Sequence, residues 1–291
     1  MSVNGSIFRE YIGSKPDPEI DGFPEHIINK QITKFDFILG YATDEYVEKK
    51  GQGKFRANWD VRTFSVKSIE KLKAKYPNVK VVISIGGAHS DFAFNPQDKE
   101  IWTDMAKGSL KDILLKQYKS SECECTNKSA IDGIDIHYDY IQTTEDDFVH
   151  CIGKVVDYLK SHIDGLVVSI SPSKPVLSHY ERLYLANTHR FHLVNYQYYH
   201  EIVKSREAFE NLHKNLIDTF TVQKVLAGFS TDQNFKDNIP LEVFLEACDH
   251  LLKTASLAGI FVSEAQDSIV YHPSDFYVEK KSQQLLTGSD D

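Results

Sequence analysis

The sequence predicts an α/β fold, a single (β/α)8 TIM barrel, on three observations. Short β-branched or aromatic runs alternate with longer amphipathic stretches. There are eight such units, enough to close a parallel sheet on itself. The length of 291 residues is one that α/β barrels routinely reach as one unit. No linker or repeat divides the chain, so residues 1–291 are expected to form one domain.

The predicted strands cover residues 7–13, 35–41, 80–85, 133–138, 166–171, 193–199, 224–229 and 259–262. Between them, Asn95 with Pro96 reads as one helix start, Ser178 with Glu181 as a capping box, and Ser205 as another cap. In the fourth unit Phe148, Cys151, Ile152, Val155, Val156 and Leu159 recur at helical intervals, which predicts a helix with one face on the sheet. The segments 43–63 and 86–95 are long connections after strands 2 and 3, where barrels place function. Residues 119–129 precede strand 4 and fall at the opposite, stabilising end.

Composition excludes several function classes. With 41% hydrophobic and 26% charged residues the chain can build a large core. A net charge of -9 argues against nucleic-acid or anionic-membrane partners, which need clustered Lys and Arg. No apolar run approaches the roughly 18 residues of a membrane span, and residues 1–6 lack the features of a secretory signal, so a cytoplasmic monomer is expected. Four cysteines, Cys123, Cys125, Cys151 and Cys248, are too scattered for a disulfide framework or a zinc site and read as structural or free thiols. No cofactor is expected.

The chemistry is concentrated on strand 4. In Asp132-Gly133-Ile134-Asp135-Ile136-His137-Tyr138-Asp139, the side chains of Asp135, His137 and Asp139 share one parity and project to one side, the barrel interior. Three ionisable groups in one inward column need partners. A metal held by His137 and the carboxylates is disfavoured, because adjacent inward positions on one strand rarely converge on one ion.

The same residues carry a family resemblance. Asp132-Gly133-x-Asp135-x-His137-x-Asp139 resembles the D-G-x-D-x-D-x-E signature of glycoside hydrolase family 18, the chitinase family. Val82-Ile83-Ser84-Ile85-Gly86-Gly87 resembles its strand-3 S-x-G-G motif, and Gln197-Tyr198-Tyr199 its strand-6 Q-x-Y element. Within that family, residues 7–13, 81–87, 132–138 and 228–232 are similar to the narbonin-type seed globulins of legumes, storage-type proteins without demonstrated chitinase activity.

The resemblance implies a reaction and also implies its loss. In active members the final Glu protonates the glycosidic oxygen while the substrate acetamido group attacks the anomeric carbon. Asp139 at that position is one methylene short of the hydrogen-bond reach that acid catalysis requires. His137 replaces the Asp that orients the acetamido group, and a histidine there favours an ionised Asp139 that cannot donate. Ser263 stands where the family usually has a Trp floor for the sugar. The expected function is therefore a catalytically inactive, storage-type role. A lectin-like module binding an N-acetylglucosamine-containing glycan, and a weak chitin-oligomer hydrolase using Asp139 as acid, are the alternatives.

Asp132, Asp135, His137, Asp139 and Tyr199 are accordingly vestigial catalytic positions, and Tyr11, Gly86, Gly87, Gln197, Tyr199 and Ser263 are candidate binding positions. Arg9, inward on strand 1 beside Tyr11, is expected to neutralise Asp135 or Asp139 in an internal ion network with His137. Glu10, Glu264 and Asp267 are expected to be solvated at the surface or rim.

Overall fold

The computed structural model describes residues 6–14, 22–121, 127–271 and 273–289. Eight parallel strands form the wall of a barrel: β1 (Ile7–Ile12), β2 (Lys34–Thr43), β3 (Val79–Gly87), β4 (Gly133–Tyr138), β5 (Val167–Ile170), β6 (Leu193–Tyr196), β7 (Val225–Ser230) and β8 (Gly259–Ser263). β1 pairs with both β2 and β8, which closes the sheet and leaves these strands without an open edge. The sixth predicted strand overruns the observed one, since β6 stops at Tyr196 and Tyr198–His200 form a 3-10 turn. Gln197 and Tyr199 therefore lie just beyond the strand.

The helices are α1 (Val66–Lys75), α2 (Lys99–Asp112), α3 (Glu145–His162), α4 (Leu177–Ala186), α5 (Arg206–Phe220), α6 (Leu241–Lys253), the single turn α7 (Ala265–Ser268) and α8 (Tyr277–Thr287). All six apolar residues predicted to line one face of α3 are buried. Ser205 caps α5 by accepting from the Ala208 amide at 3.2 Å. The other two predicted starts are displaced. α2 begins after Asp98, whose carboxylate accepts from the Glu100 and Ile101 amides at 2.9 Å. Ser178 lies inside α4, because the turn Lys174–Val176, with Pro175 pre-setting the backbone, already leads the chain into the helix.

The alternation of each strand divides the core in two. Phe8, Ile12, Phe37 and Leu39 belong to the layer between barrel and helices, whereas Tyr11, Ile38, Val82, Leu193, Tyr199, Leu226 and Phe261 pack together within the barrel. The long segment after β2 carries a hairpin, Tyr46–Val47 against Lys50–Gly51, and a short strand, Arg56–Ala57, paired antiparallel to β2. Cys151 and Cys248 are buried free thiols, while Cys123 and Cys125 lie outside the described residues.

Candidate functional site

The barrel interior is polar along one column. Asp135 on β4 is fully buried and accepts from Tyr11 Oη at 2.9 Å, Ser84 Oγ at 3.0 Å, Ser169 Oγ at 2.6 Å, Ser171 Oγ at 3.0 Å and Asn195 Nδ2 at 3.0 Å. Five neutral donors, four on β1, β3, β5 and β6 and Ser171 directly after β5, thus satisfy one carboxyl without a formal countercharge in contact.

Arg9 points inward as expected but takes a different partner. Its Nε donates to Asp36 Oδ2 on β2 at 2.9 Å, and its Nη1 to Ser169 Oγ at 2.8 Å and Asn195 Oδ1 at 2.9 Å. The expected pairing with Asp135 or Asp139 is therefore corrected. Asp36 is the residue in register with Arg9 on the neighbouring strand, so it meets the guanidinium first, and Ser169 and Asn195 connect the ion pair to Asp135.

Above this layer, at the C-terminal ends of the strands, lies a cleft of about 300 Å³. Tyr41, His137, Asp139, Gln197, Tyr199, Ser263 and Glu264 are among its lining residues. Asp139 is 6% exposed and its Oδ1 accepts from Gln197 Nε2 at 2.7 Å. Gln197 is fixed in turn by Tyr199, whose hydroxyl donates to Gln197 Oε1 at 2.8 Å. His137 Nε2 stands 3.4 Å from Asp139 Oδ2, and His200 Nε2 stands 3.8 Å from the same oxygen. Tyr11 and Tyr41 meet the His137 ring edge-on. Neither ring nitrogen of His137 has a hydrogen-bond partner among the described residues.

These contacts decide the protonation of the mouth. Burial alone would push the Asp139 carboxyl up, but His137 first, then His200 and Gln197, hold it below the ordinary carboxylate value. Burial alone would lower His137, yet Asp139 and then Asp135 raise it above the ordinary imidazole value. His200, partly exposed, goes the other way, lowered by burial despite Asp139. The arrangement favours a carboxylate facing an imidazolium.

The sequence-predicted residues divide accordingly. His137, Asp139, Gln197, Tyr199 and Ser263 converge at the mouth, and Tyr11 and Asp135 sit in the layer beneath. Asp132 lies apart at the other end of β4. Its carboxylate accepts from the Val81 amide at 2.8 Å and pairs with Lys73 at 2.5 Å. Gly86 and Gly87 shape the wall rather than line the cleft. Gly86 has φ +110°, and a Cβ there would stand 2.3 Å from the His137 carbonyl oxygen.

Glu264 is not solvated as expected. It is buried at the mouth and accepts from the Ser14 amide at 3.2 Å. Glu10 is also fully buried, on the outer face of β1, so its expected solvation is corrected too. Tyr41, His200 and the hydroxyl and amide donors around Asp135 escaped the motif-based reading. A polar residue at inward parity in an apolar strand, as at Ser84, Ser169 and Asn195, is the signal that could have found the donors.

The closed barrel with this strand-4 column defines a chitinase-type barrel. The profile described as glycosyl hydrolases family 18 matches residues 27–242, and the chain belongs to this family. It is 33% identical over 291 residues to Chitinase 1 of Tulipa saxatilis subsp. bakeri, a match spanning 96% of this chain and 87% of that relative. It is 27% identical over 293 residues to the RuBisCO-associated protein of Glycine max, covering 96% and 97% of the two chains. The catalytic domain of a family 18 chitinase from the fern Peteris ryukyuensis superposes with a TM-score of 0.81 at 30% identity, over 97% of this chain and 100% of that one.

Proposed function

We propose that this barrel is a non-hydrolytic member of family 18 with a passive, storage-type role. The observation that carries the reading is the His137 and Asp139 pair. The one carboxyl in the position of the catalytic acid is held as a carboxylate by the imidazole that replaces the acetamido-orienting Asp. A group that must give up a proton to the glycosidic oxygen has none to give. The absence of an aromatic side chain at Ser263 supports the same reading, since a sugar ring would lack its stacking floor. The storage role is supported by the segments similar to narbonin-type globulins and rests on them alone.

The test is incubation of the full chain with chitin tetramer between about pH 4 and pH 8, with mass-spectrometric detection of shorter products. No product above the buffer control is expected at any pH. Turnover that disappears in Asp139→Asn would overturn the proposal in favour of a weak hydrolase.

A second reading, a glycan-binding module, is favoured by the cleft itself, whose lining includes Tyr41, Tyr199 and Gln197. Calorimetric titration with the same tetramer separates the two. Micromolar binding would support the module, and no measurable heat of binding would remove it.

A further inference from the structure

Glu10 and Glu279 form a second group of buried carboxyls, on the side of β1 away from the barrel interior. Glu10 faces the helical layer between the apolar side chains of its register partners Phe37 and Val262. Glu279 lies on α8, the C-terminal helix, which packs on β1 and β8. Both residues are fully buried, and none of their four carboxyl oxygens has a hydrogen-bond partner among the described residues. Ser282, one turn further along α8, is likewise buried with its hydroxyl unpartnered. No Lys, Arg or His forms an ion pair with either carboxyl among the described residues. Two unpaired carboxylates cannot stay charged in such a place.

We propose that Glu10 and Glu279 act as a proton-held latch: both carboxyls keep their protons while α8 is docked on β1, and their ionisation as pH rises loosens the helix. The groups around them point the same way. Burial first, then Glu279 and Glu264, push the Glu10 carboxyl well above the ordinary carboxylate range. Burial raises Glu279 to about 7, against weaker opposing effects of the nearby Ser268 hydroxyl, its own backbone amide and Lys280. Lys280 is turned away, its Nζ donating to the Asp275 carbonyl at 3.0 Å. Tyr271, raised by burial and then by Glu242 and Glu279, adds no positive charge. The other buried polar side chains of α7 and α8, namely Gln266, Ser268, Ser282 and Gln283, are neutral, and the one acid of α7, Asp267, brings no positive charge.

The sign follows from linkage. A carboxyl whose folded value is raised contributes stability that is complete below its ordinary value and is lost as pH rises through the folded value. For Glu279 that loss runs from the ordinary value of 4.5 up to about 7 and is complete above it. Other contacts limit it to a loosening, since Gln283 Nε2 donates to the Ile27 carbonyl at 2.9 Å and the Phe276 amide to the Ser268 carbonyl at 2.9 Å. Ser268 also donates its amide to the carbonyl of Glu264, so the latch adjoins the mouth.

Amide exchange over residues 277–287 of the full chain, corrected for intrinsic pH dependence, tests this. Opening is expected to be at least about tenfold more frequent at pH 8.5 than at pH 5.5 in the wild type, one pKa unit of ionisation sufficing for that ratio. In Glu10→Gln/Glu279→Gln the ratio is expected to fall to about one, because the amides remain neutral. Wild-type protection that does not change between the two pH values would overturn the proposal even if the variant failed to fold. A double variant with the wild-type ratio would overturn it as well. Millimolar calcium or magnesium restoring wild-type protection at pH 8.5 would also overturn it, by showing that the carboxyls hold a cation rather than protons.

Discussion

Arg9 and Glu10 are neighbours on β1 and solve opposite problems. Inside the barrel, burial of acidic groups is met with positive charge and donors: Arg9 for Asp36, His137 for Asp139, and five neutral donors for Asp135. Outside the barrel, beneath α8, Glu10 and Glu279 have no such partners, and burial forces their protons to stay. One strand thus separates an Asp139 carboxyl kept ionised from Glu10 and Glu279 carboxyls kept neutral. The difference shows that exposure alone does not fix the state of an acid, since all of these groups are nearly inaccessible.

The largest expected effect breaks the inner side of that comparison. Arg9→Met leaves Asp36 buried without its guanidinium and removes donors to Ser169 and Asn195. Removing one partner of a buried pair typically costs about 3–5 kcal/mol, and Lys34, 3.5 Å from the same Asp36 oxygen, places the expected loss at the lower end. Urea unfolding at pH 7 measures it. Arg9→Met/Asp36→Leu is expected to recover a large part of the loss, and a double variant no better than the single would show that packing rather than charge is at stake. Glu279→Gln, by contrast, is expected to cost little at pH 7, because the outer site already prefers a neutral group.

The second effect is smaller and depends on pH. His137→Leu removes the nearest cation from Asp139 while leaving its burial and the Gln197 contact, so the Asp139 carboxyl is expected to rise. Leaving a buried acceptor poorly satisfied costs about 1–3 kcal/mol. The window follows from the two directions. Asp139, lowered, contributes stability above an ordinary value of about 3.9 that is lost as pH falls through its folded value, and His137, raised, contributes below about 6.5 and loses it as pH rises through its own. The gap between wild type and variant is therefore widest between roughly pH 4 and pH 6.5. Thermal unfolding across pH measures it. A gap that keeps widening above pH 8 would contradict the assigned ion pair.

Much of the barrel was legible because strand alternation is a local signal. All eight predicted strands overlap observed ones, and the inward parity of Arg9, Asp135 and His137 follows from the same two-residue period. What could not be read locally was partnership. Asp36 lies on another strand, 27 positions from Arg9, and no motif marks it. Glu10 reads as a surface acid until α8 is folded across it, a contact that spans nearly the whole chain. Helix starts failed where a turn or a second polar residue supplied the cap, as at Asp98 and around Pro175. At the mouth, Gln197 and Tyr199 were legible from the family pattern, whereas Tyr41, at the end of β2, and Glu264, directly after β8, carry no motif that marks them as cleft residues.

The smallest expected effect sharpens the comparison most. Tyr199→Phe removes the hydroxyl that donates to Gln197 Oε1 and leaves the ring packed against Phe261 and Phe235. The net loss of one such bond is about 0.5–1.5 kcal/mol. Its consequence should travel one step further, because Gln197 is the direct donor to Asp139. A less firmly held Gln197 stabilises the Asp139 carboxylate less, so the carboxyl titration, followed by carbon NMR, is expected to move upward. Exchange in α8 should not respond, since the outer carboxyls share no hydrogen bond with this chain of contacts. A Tyr199→Phe protein with an unmoved Asp139 titration and altered exchange in residues 277–287 would mean that the two faces of β1 are energetically one site. The opposite pattern would establish that a single strand insulates an ionised pair from a protonated one.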